Sequence, residues 1–542
     1  MRIRQVSFIA ILTVLLAALL TGVLLYDNRL PRPHQFVLRS ENHDDLFGVI
    51  RKVDQQFLES WELRGLEPSG VASDLTIVRR MSLALTGTIP SLQEIRFLEQ
   101  QVEGDPVQWW LSRLFEDRRY ADYVAERLAR GFVGIEQGPF IKYRRRLFLT
   151  WLSDQLIGNV PYDELAQQLI SAQGNWMDNP AVNFCTVTIA ENDDQEGPDE
   201  KRLAARVSRS FLGLRIDCVQ CHDDFMGGHW KQQDFHQLAS FFSGTELSLS
   251  GLQDREHVYE FQYHGAEAAR VVPSGVPFQQ ALLPDEGTPR FRLARWVTHP
   301  ENRAFSRAVV NKVWALLLGR PLVDPVDEIP LEGPYPPALE LLASDLVEHD
   351  YNLQRLIRVI AASRVFRMDS QGRVDQPIPS EQHEKHWAVF PVIRLRPEQV
   401  AGSLIQASSL KTINAQSHVV MRIVKFIVQN EFLKRYGDKG EEEFNLENGT
   451  VPQRLLMMNG ELVRNKTSNN LIFDISSRIA LLASDNEKAV EAVYLSILTR
   501  RPVPDEHRYF VSLLSESPEK REEIIQDLCW VLFNTTEFSW NH

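Results

Sequence analysis

The chain reads as a mainly α-helical protein, with two helical domains joined by a short β or extended connector and an N-terminal transmembrane helix in front of them. Three observations predict this. From Asp44 onward apolar residues recur three and four apart, the period of an amphipathic helix. Between residues 245 and 290 that period gives way to strand-like alternation punctuated by Pro and Gly. At the start, the run from Val6 to Tyr26 holds no charge.

Residues 1–30 form the expected anchor. Arg2 and Arg4 precede the uncharged run, and Asp27 and Arg29 come after it. About 21 residues at 1.5 Å rise cover roughly 30 Å, the thickness of a bilayer core. No small-x-small cleavage site succeeds the run, which favours a retained signal anchor over a cleaved peptide. The leading arginines keep the N-terminus cytoplasmic, so the expected location is the cell membrane, single-pass, with the body exported to the periplasm.

Asn28 to His43, with Pro31 and Pro33, reads as a linker. The first helical domain is set at residues 44–245. Its clearest segments are Asp45–Arg64, Asp74–Leu85, Leu92–Gln101, Tyr120–Arg130, Leu147–Leu156 and Tyr162–Ala172. Ser91 and Glu94 have capping-box spacing after Pro90. Glu191–Glu200 is a polar loop, Lys201–Leu212 is helical, and Gln233–Phe242 is an amphipathic helix that puts Phe235, Leu238, Phe241 and Phe242 into a core. The connector is set at 246–288, where Val258 to Tyr263 alternates like a strand and Pro273 and Gly275 break the run after it. The second helical domain is set at 289–542. Its helices are expected near Ser306–Leu318, Ala338–Glu348, Leu353–Ala362, Pro397–Ser408, Asn470–Leu482, Lys488–Leu498, Pro504–Leu514 and Lys520–Phe533.

The 542 residues are 44% hydrophobic and 24% charged, ordinary for a globular chain. A net charge of −13 argues against a nucleic-acid partner, because phosphate contacts need a cationic face. Arg144-Arg145-Arg146 is read as a solvated helix face. Trp151, Trp314 and Trp530 are read as core or interdomain anchors. Cys185 and Cys529 could pair in an exported protein or stay as buried thiols. His383 and His386 beside Glu381 and Glu384 read as a solvated loop, and no HExxH motif, nucleophile elbow, Walker loop or dinucleotide fingerprint is found.

Cys218-Val219-Gln220-Cys221-His222 carries the chemistry. CxxCH is the attachment signature of haem c: two thiols add across the vinyl groups and the next imidazole becomes the proximal iron ligand. On this reading Cys218 and Cys221 are the thioether residues and His222 binds iron. Met226 and His229 lie too close in sequence to reach the opposite porphyrin face, while His236, His257 and His264 have more chain to do so, and the sequence selects none. The alternatives are a structural zinc held by Cys218, Cys221, His229 and His236, a CxxC disulfide, or reduced thiols in a core.

Five segments then resemble a known pair of domains. DLTIVRRMSLALTGTIPSLQEI (Asp74–Ile95) and FLGLRIDCVQCHDDFMGGHWKQQDFHQLASFF (Phe211–Phe242) look like the planctomycete cytochrome-associated CxxCH domain. NRAFSRAVVNKVWALLLGRPLVDPVDE (Asn302–Glu328), LQRLIRVIAASRVFR (Leu353–Arg367) and WVLFNTTEFSWNH (Trp530–His542) look like the planctomycete-specific domain of unknown function that trails it. The resemblance implies a cytochrome-like protein of unassigned activity. Several positions depart from the family pattern. Asp224 stands where the pattern after CxxCH has a histidine, and Ala84 where Leu-Asp-Leu-Thr-Gly has its acid. Leu316 and Leu317 fall in a Trp-x-His-x-Phe-Gly region, Tyr335 in a Ser-His-Pro step, and Ala401-Gly402 in place of an Arg-Asp pair. Leu316, Leu317, Ala84 and Tyr335 are expected to line one shared, ligand-poor cavity away from Cys218–His222.

The function expected is that of a membrane-anchored, exported c-type cytochrome-like protein passing single electrons to a redox partner protein. The runner-up is a non-redox scaffold or carbohydrate-associated interaction protein with CxxCH as a structural metal or disulfide site. A degenerate metallohydrolase is a third reading.

Overall fold

The computed structural model describes residues 40–101, 104–134, 143–189, 197–224, 230–248, 250–371, 380–414 and 475–542. The expected anchor Val6–Tyr26, the residues Met226 and His229, and the first part of the Asn470–Leu482 segment lie outside the described residues. Among the described residues no helix is long and apolar enough to cross a membrane.

The chain is mainly helical, as the apolar period predicts. Among the described residues, eight helices of eight or more residues precede the cysteine motif: α1 (Ser40–Glu62), α2 (Asp74–Thr86), α3 (Leu92–Gln101), α4 (Pro106–Glu116), α5 (Arg118–Val133), α6 (Arg145–Ile157), α7 (Tyr162–Ser171) and α8 (Glu200–Val207). Local chemistry sets their ends. The Ser73 hydroxyl accepts the Thr76 amide at the start of α2, and Gly87, at φ 66°, closes its end by donating to the Leu83 carbonyl. The capping box before α3 is present: the Ser91 amide donates to Glu94 Oε2 at 2.8 Å and the Glu94 amide to Ser91 Oγ at 3.1 Å.

After the motif come α9 (Gln232–Ala239) and two antiparallel hairpins. The first pairs β1 (Thr245–Ser248) with β2 (Gly251–Asp254), the second β3 (Glu260–Phe261) with β4 (Arg270–Val271). The second half continues with α10 (Pro289–Val297), α11 (Arg303–Leu318), α12 (Leu339–Glu348), α13 (Leu353–Ala362), β5 (Ile393–Arg394) and α14 (Pro397–Ala407). Beyond the undescribed stretch lie α15 (Ile475–Leu482), α16 (Asn486–Leu498), α17 (Pro504–Glu516), α18 (Arg521–Phe533) and β6 (Trp540–Asn541), which pairs antiparallel with β5.

The packed core does not divide at the connector. One core runs from Leu46 to Phe390 and joins α1–α9 with α10–α13. α11 packs on α2, α12 and α13, and its Trp314 stacks on Phe57 of α1 with ring centroids 5.7 Å apart. A second core gathers Val400, Leu404, Val493, Leu528 and Phe533 around Leu83 and Ile89 of the first half. The sequence boundary at 246–288 marks a change of backbone, whereas the break between cores falls after Phe390, because α11 has one apolar face for each half. Trp314 is thus the interdomain anchor expected of it. Trp151 is half-buried against Phe148, and Trp530 corrects its expectation, being exposed on α18. Cys185 and Cys529 are both buried thiols, one in each core.

Candidate functional site

The segment before the cysteines is wound unusually. α8 runs straight into a π-helical turn, Ser208–Leu212, closed by Gly213 at φ 64°. Such turns insert one residue into the helical ladder and re-aim the chain beyond them. A Cβ at Gly213 would sit 3.0 Å from Ile329 and 3.3 Å from Ala308, so glycine answers both the left-handed backbone and the close approach of the second half. A single 3₁₀ turn, Asp217–Gln220, then carries the motif.

Cys218, Cys221 and His222 are all exposed, and both thiols are free. Val219 between them is fully buried and pins the turn to the core. His222 Nδ1 lies 2.8 Å from the Asp223 carbonyl. A carbonyl only accepts, so Nδ1 carries a proton.

The turn is held from behind by α9. The Gln220 carbonyl accepts from His236 Nε2 at 3.0 Å and from Gln232 Nε2 at 3.1 Å. The Gln232 amide donates to Asp223 Oδ1 at 2.8 Å, and the Asp224 amide to the Trp230 carbonyl at 3.1 Å. His236 is fully buried, stacked on Phe261 and met edge-on by Tyr263. Burial pushes its pKa down, against the Gln220 carbonyl, so the ring is neutral; Nε2 donates to Gln220 and Nδ1 accepts from the Tyr259 hydroxyl at 2.8 Å. Burial also pushes the Tyr259 phenol up, which keeps it a donor.

His236 therefore reaches the motif through a backbone carbonyl, with both ring nitrogens engaged, and its role is to buttress the turn. Of the zinc set Cys218, Cys221, His229 and His236, His236 is hydrogen-bonded at both ring nitrogens in this packing and His229 lies outside the described residues. Of the three histidines with chain enough to reach the opposite porphyrin face, His236 is buried and hydrogen-bonded, while His257 and His264 are exposed. Among the described residues no group of three or more His, Cys, Asp or Glu could hold a metal ion. Gln220, Gln232 and Tyr259 were not legible as site residues. The alternation from Val258 to Tyr263 gave the only signal: it placed a strand there but not the ring it holds.

Beside the turn lies a cavity of about 570 Å³, bounded by α5, α8, the π turn, α11 and the loop Asp324–Asp327, with Asp217 on its wall. Of the four positions expected to converge on one space, Leu316 alone lines it. Ala84 and Leu317 are packed into the core, and Tyr335 stacks under Arg307 while its hydroxyl donates to the Leu331 carbonyl at 2.6 Å. The expectation of a shared cavity fails because neighbouring positions on α11 point to different sides of the helix.

Two family patterns match in sequence order. PSCyt2, a protein of unknown function (DUF1549), matches residues 52–247, and PSD1, a protein of unknown function (DUF1553), matches residues 289–442. The chain thus carries a PSCyt2 match followed by a PSD1 match. The PSCyt2 part contains the cysteine turn, the α9 buttress and β1, while the PSD1 part supplies α11 and the far wall of the cavity. No curated protein and no solved structure matches the chain.

Proposed function

We propose that this protein is an exported, membrane-anchored carrier of a c-type haem that passes single electrons to a partner protein. The observation that carries the reading is the state of the turn: two exposed free thiols flank a buried Val219, and next to them stands a histidine whose Nδ1 proton is fixed on a backbone carbonyl. That donor set fits haem c. Cys218 and Cys221 would form the thioethers, and His222 would offer its Nε2 lone pair, made more basic by the hydrogen bond at Nδ1. When bound, the group supplies one-electron redox chemistry. The protein's own part is to keep the turn rigid through His236 and Gln232, so that the imidazole orientation does not change between redox states. The uncharged run Val6–Tyr26 behind Arg2 and Arg4 supports export, where such attachment takes place.

Haem staining on a denaturing gel tests this, with the full chain expressed in a host that matures c-type cytochromes. A stained band that disappears in the Cys218→Ser, Cys221→Ser double variant is the expected outcome. Exported wild-type protein without stain overturns the reading, and a stoichiometric zinc signal would point to the structural-metal alternative instead.

A further inference from the structure

We propose that the cavity between the PSCyt2 and PSD1 parts binds an organic anion, a carboxylate or phosphate ester whose apolar body carries a hydroxyl group. Its volume of about 570 Å³ suits a small-molecule ligand. One wall is apolar, formed by Val124, Phe132, Val309, Val313, Leu316 and Ile357. The charged part of the lining is mostly basic, with Asp217, Asp324 and Asp327 as its acids. Four of its arginines are matched by acids: Arg127 by Glu398, Arg130 by Glu126, Arg209 by Asp217 and Arg215 by Asp327. Arg202 reaches Asp199 only at 3.8 Å.

Lys312 differs from these. Its ammonium donates to the Ser210 carbonyl and, at 3.2 Å, to the Arg209 carbonyl, the two carbonyls turned out by the π turn. Carbonyls orient a cation but do not cancel its charge. Burial pushes its pKa down to about 8 against the opposing pull of Asp327, as expected for a cation lacking a counter-ion of its own. Tyr120 and Asp217 of the lining also carry polar atoms without a hydrogen-bond partner: the hydroxyl of the fully buried Tyr120, and the buried Oδ1 of Asp217. A buried polar atom left without a partner is destabilising, and a ligand group could satisfy it. A ligand anion would accept from Tyr120 and Lys312, a ligand hydroxyl would donate to Asp217 Oδ1, and the apolar body would lie against α11 and α13.

Fluorescence titration of the full chain with 6-hydroxy-2-naphthoate tests this, with 6-hydroxy-2-naphthyl phosphate as the second anion and 6-hydroxy-2-naphthamide as the neutral match. Saturable binding of either anion at least about tenfold tighter than the amide is expected, and the tighter of the two identifies the head group. Lys312→Met should weaken the anion by about tenfold. Tyr120→Phe should weaken it by about fivefold with an unchanged melting temperature, since it removes only a hydroxyl that has no protein partner. Because Tyr120→Phe preserves packing, it decides the matter if Lys312→Met does not fold. Equal affinity for acid and amide, or wild-type affinity in folded Tyr120→Phe, overturns the proposal. The titration reads out independently of whether Cys218 and Cys221 are loaded.

Discussion

Glu94 shows how much a single buried charge organises here. Its carboxylate has essentially no solvent contact and accepts from Arg113 at 2.9 Å, from Arg119 at 2.5 Å and from the Ser91 amide. Burial alone would raise its pKa, but the guanidiniums of Arg119 and Arg113 outweigh it and hold the carboxyl at about 2, against an ordinary 4.5. Added acid therefore protonates the unfolded chain first. The stability this cluster contributes is complete above about pH 4.5 and is lost as pH falls toward 2. Glu94→Gln should lower unfolding stability at neutral pH by about 3–5 kcal/mol, since the buried Arg113 loses its carboxylate and Arg119 is left with Asp117 alone. It should also flatten the slope of stability against pH across that acid window. Urea melts at several pH values check both, and an unchanged acid slope would show that other carboxylates set it. Ser91-x-x-Glu94 was legible in the sequence as a cap; its two arginine partners were not, because they arrive from α4 and α5 through tertiary packing.

Between elements, α14 comes close to the end of α2. A Cβ on Gly402 would lie 2.5 Å from the Gly87 carbonyl, and the Gly402 carbonyl accepts from the Thr88 hydroxyl at 3.0 Å. The Arg-Asp step of the family pattern has no room in this packing, so Ala401-Gly402 is a fitted surface here. Gly402→Ala should destabilise the protein by about 1–3 kcal/mol through overpacking against backbone. Gly48→Ala on α1 is the contrasting case: nothing lies within 4 Å of the added methyl, and it should stabilise by about 0.4–1 kcal/mol. Equilibrium denaturation of both variants decides this, and a neutral Gly402→Ala would mean that α14 shifts away at little cost. Glycine pairs of this kind cannot be read from one chain's sequence, where each resembles an ordinary helix weakener.

Across the whole molecule, buried arginines on α2 tie the two cores together. Arg80 donates to the Phe366, Met368 and His542 carbonyls and lies over the Phe390 ring, while Arg79 donates to those of Ile497 and Phe538. Burial lowers their pKa values to about 9 and about 10, so both remain charged at neutral pH. A fragment ending at residue 288 would lose the carbonyls that satisfy these guanidiniums and the whole of α11. Each large apolar side chain then uncovered costs about 1.5–3 kcal/mol, and a handful exceeds the roughly 5–15 kcal/mol net stability of a domain. The fragment is expected to show helical far-ultraviolet dichroism without a cooperative thermal transition and to be digested rapidly by trypsin. A sharp transition in the isolated fragment would show that its core closes alone.

The sequence by itself determined what depends on near neighbours along the chain. Apolar period gave the helices, Ser91 and Glu94 gave the cap, and Cys218, Cys221 and His222 gave the candidate chemistry, because each signal spans only a few residues. The tertiary structure decided what depends on distant chain meeting. It set His236 against the Gln220 carbonyl, since only packing brings Tyr259 and Phe261 around its ring. It put the break between cores after Phe390, because the two faces of α11 are filled by segments hundreds of residues apart. It also left Tyr120 and Asp217 facing a cavity whose walls come from both family domains, a juxtaposition that no local spacing encodes.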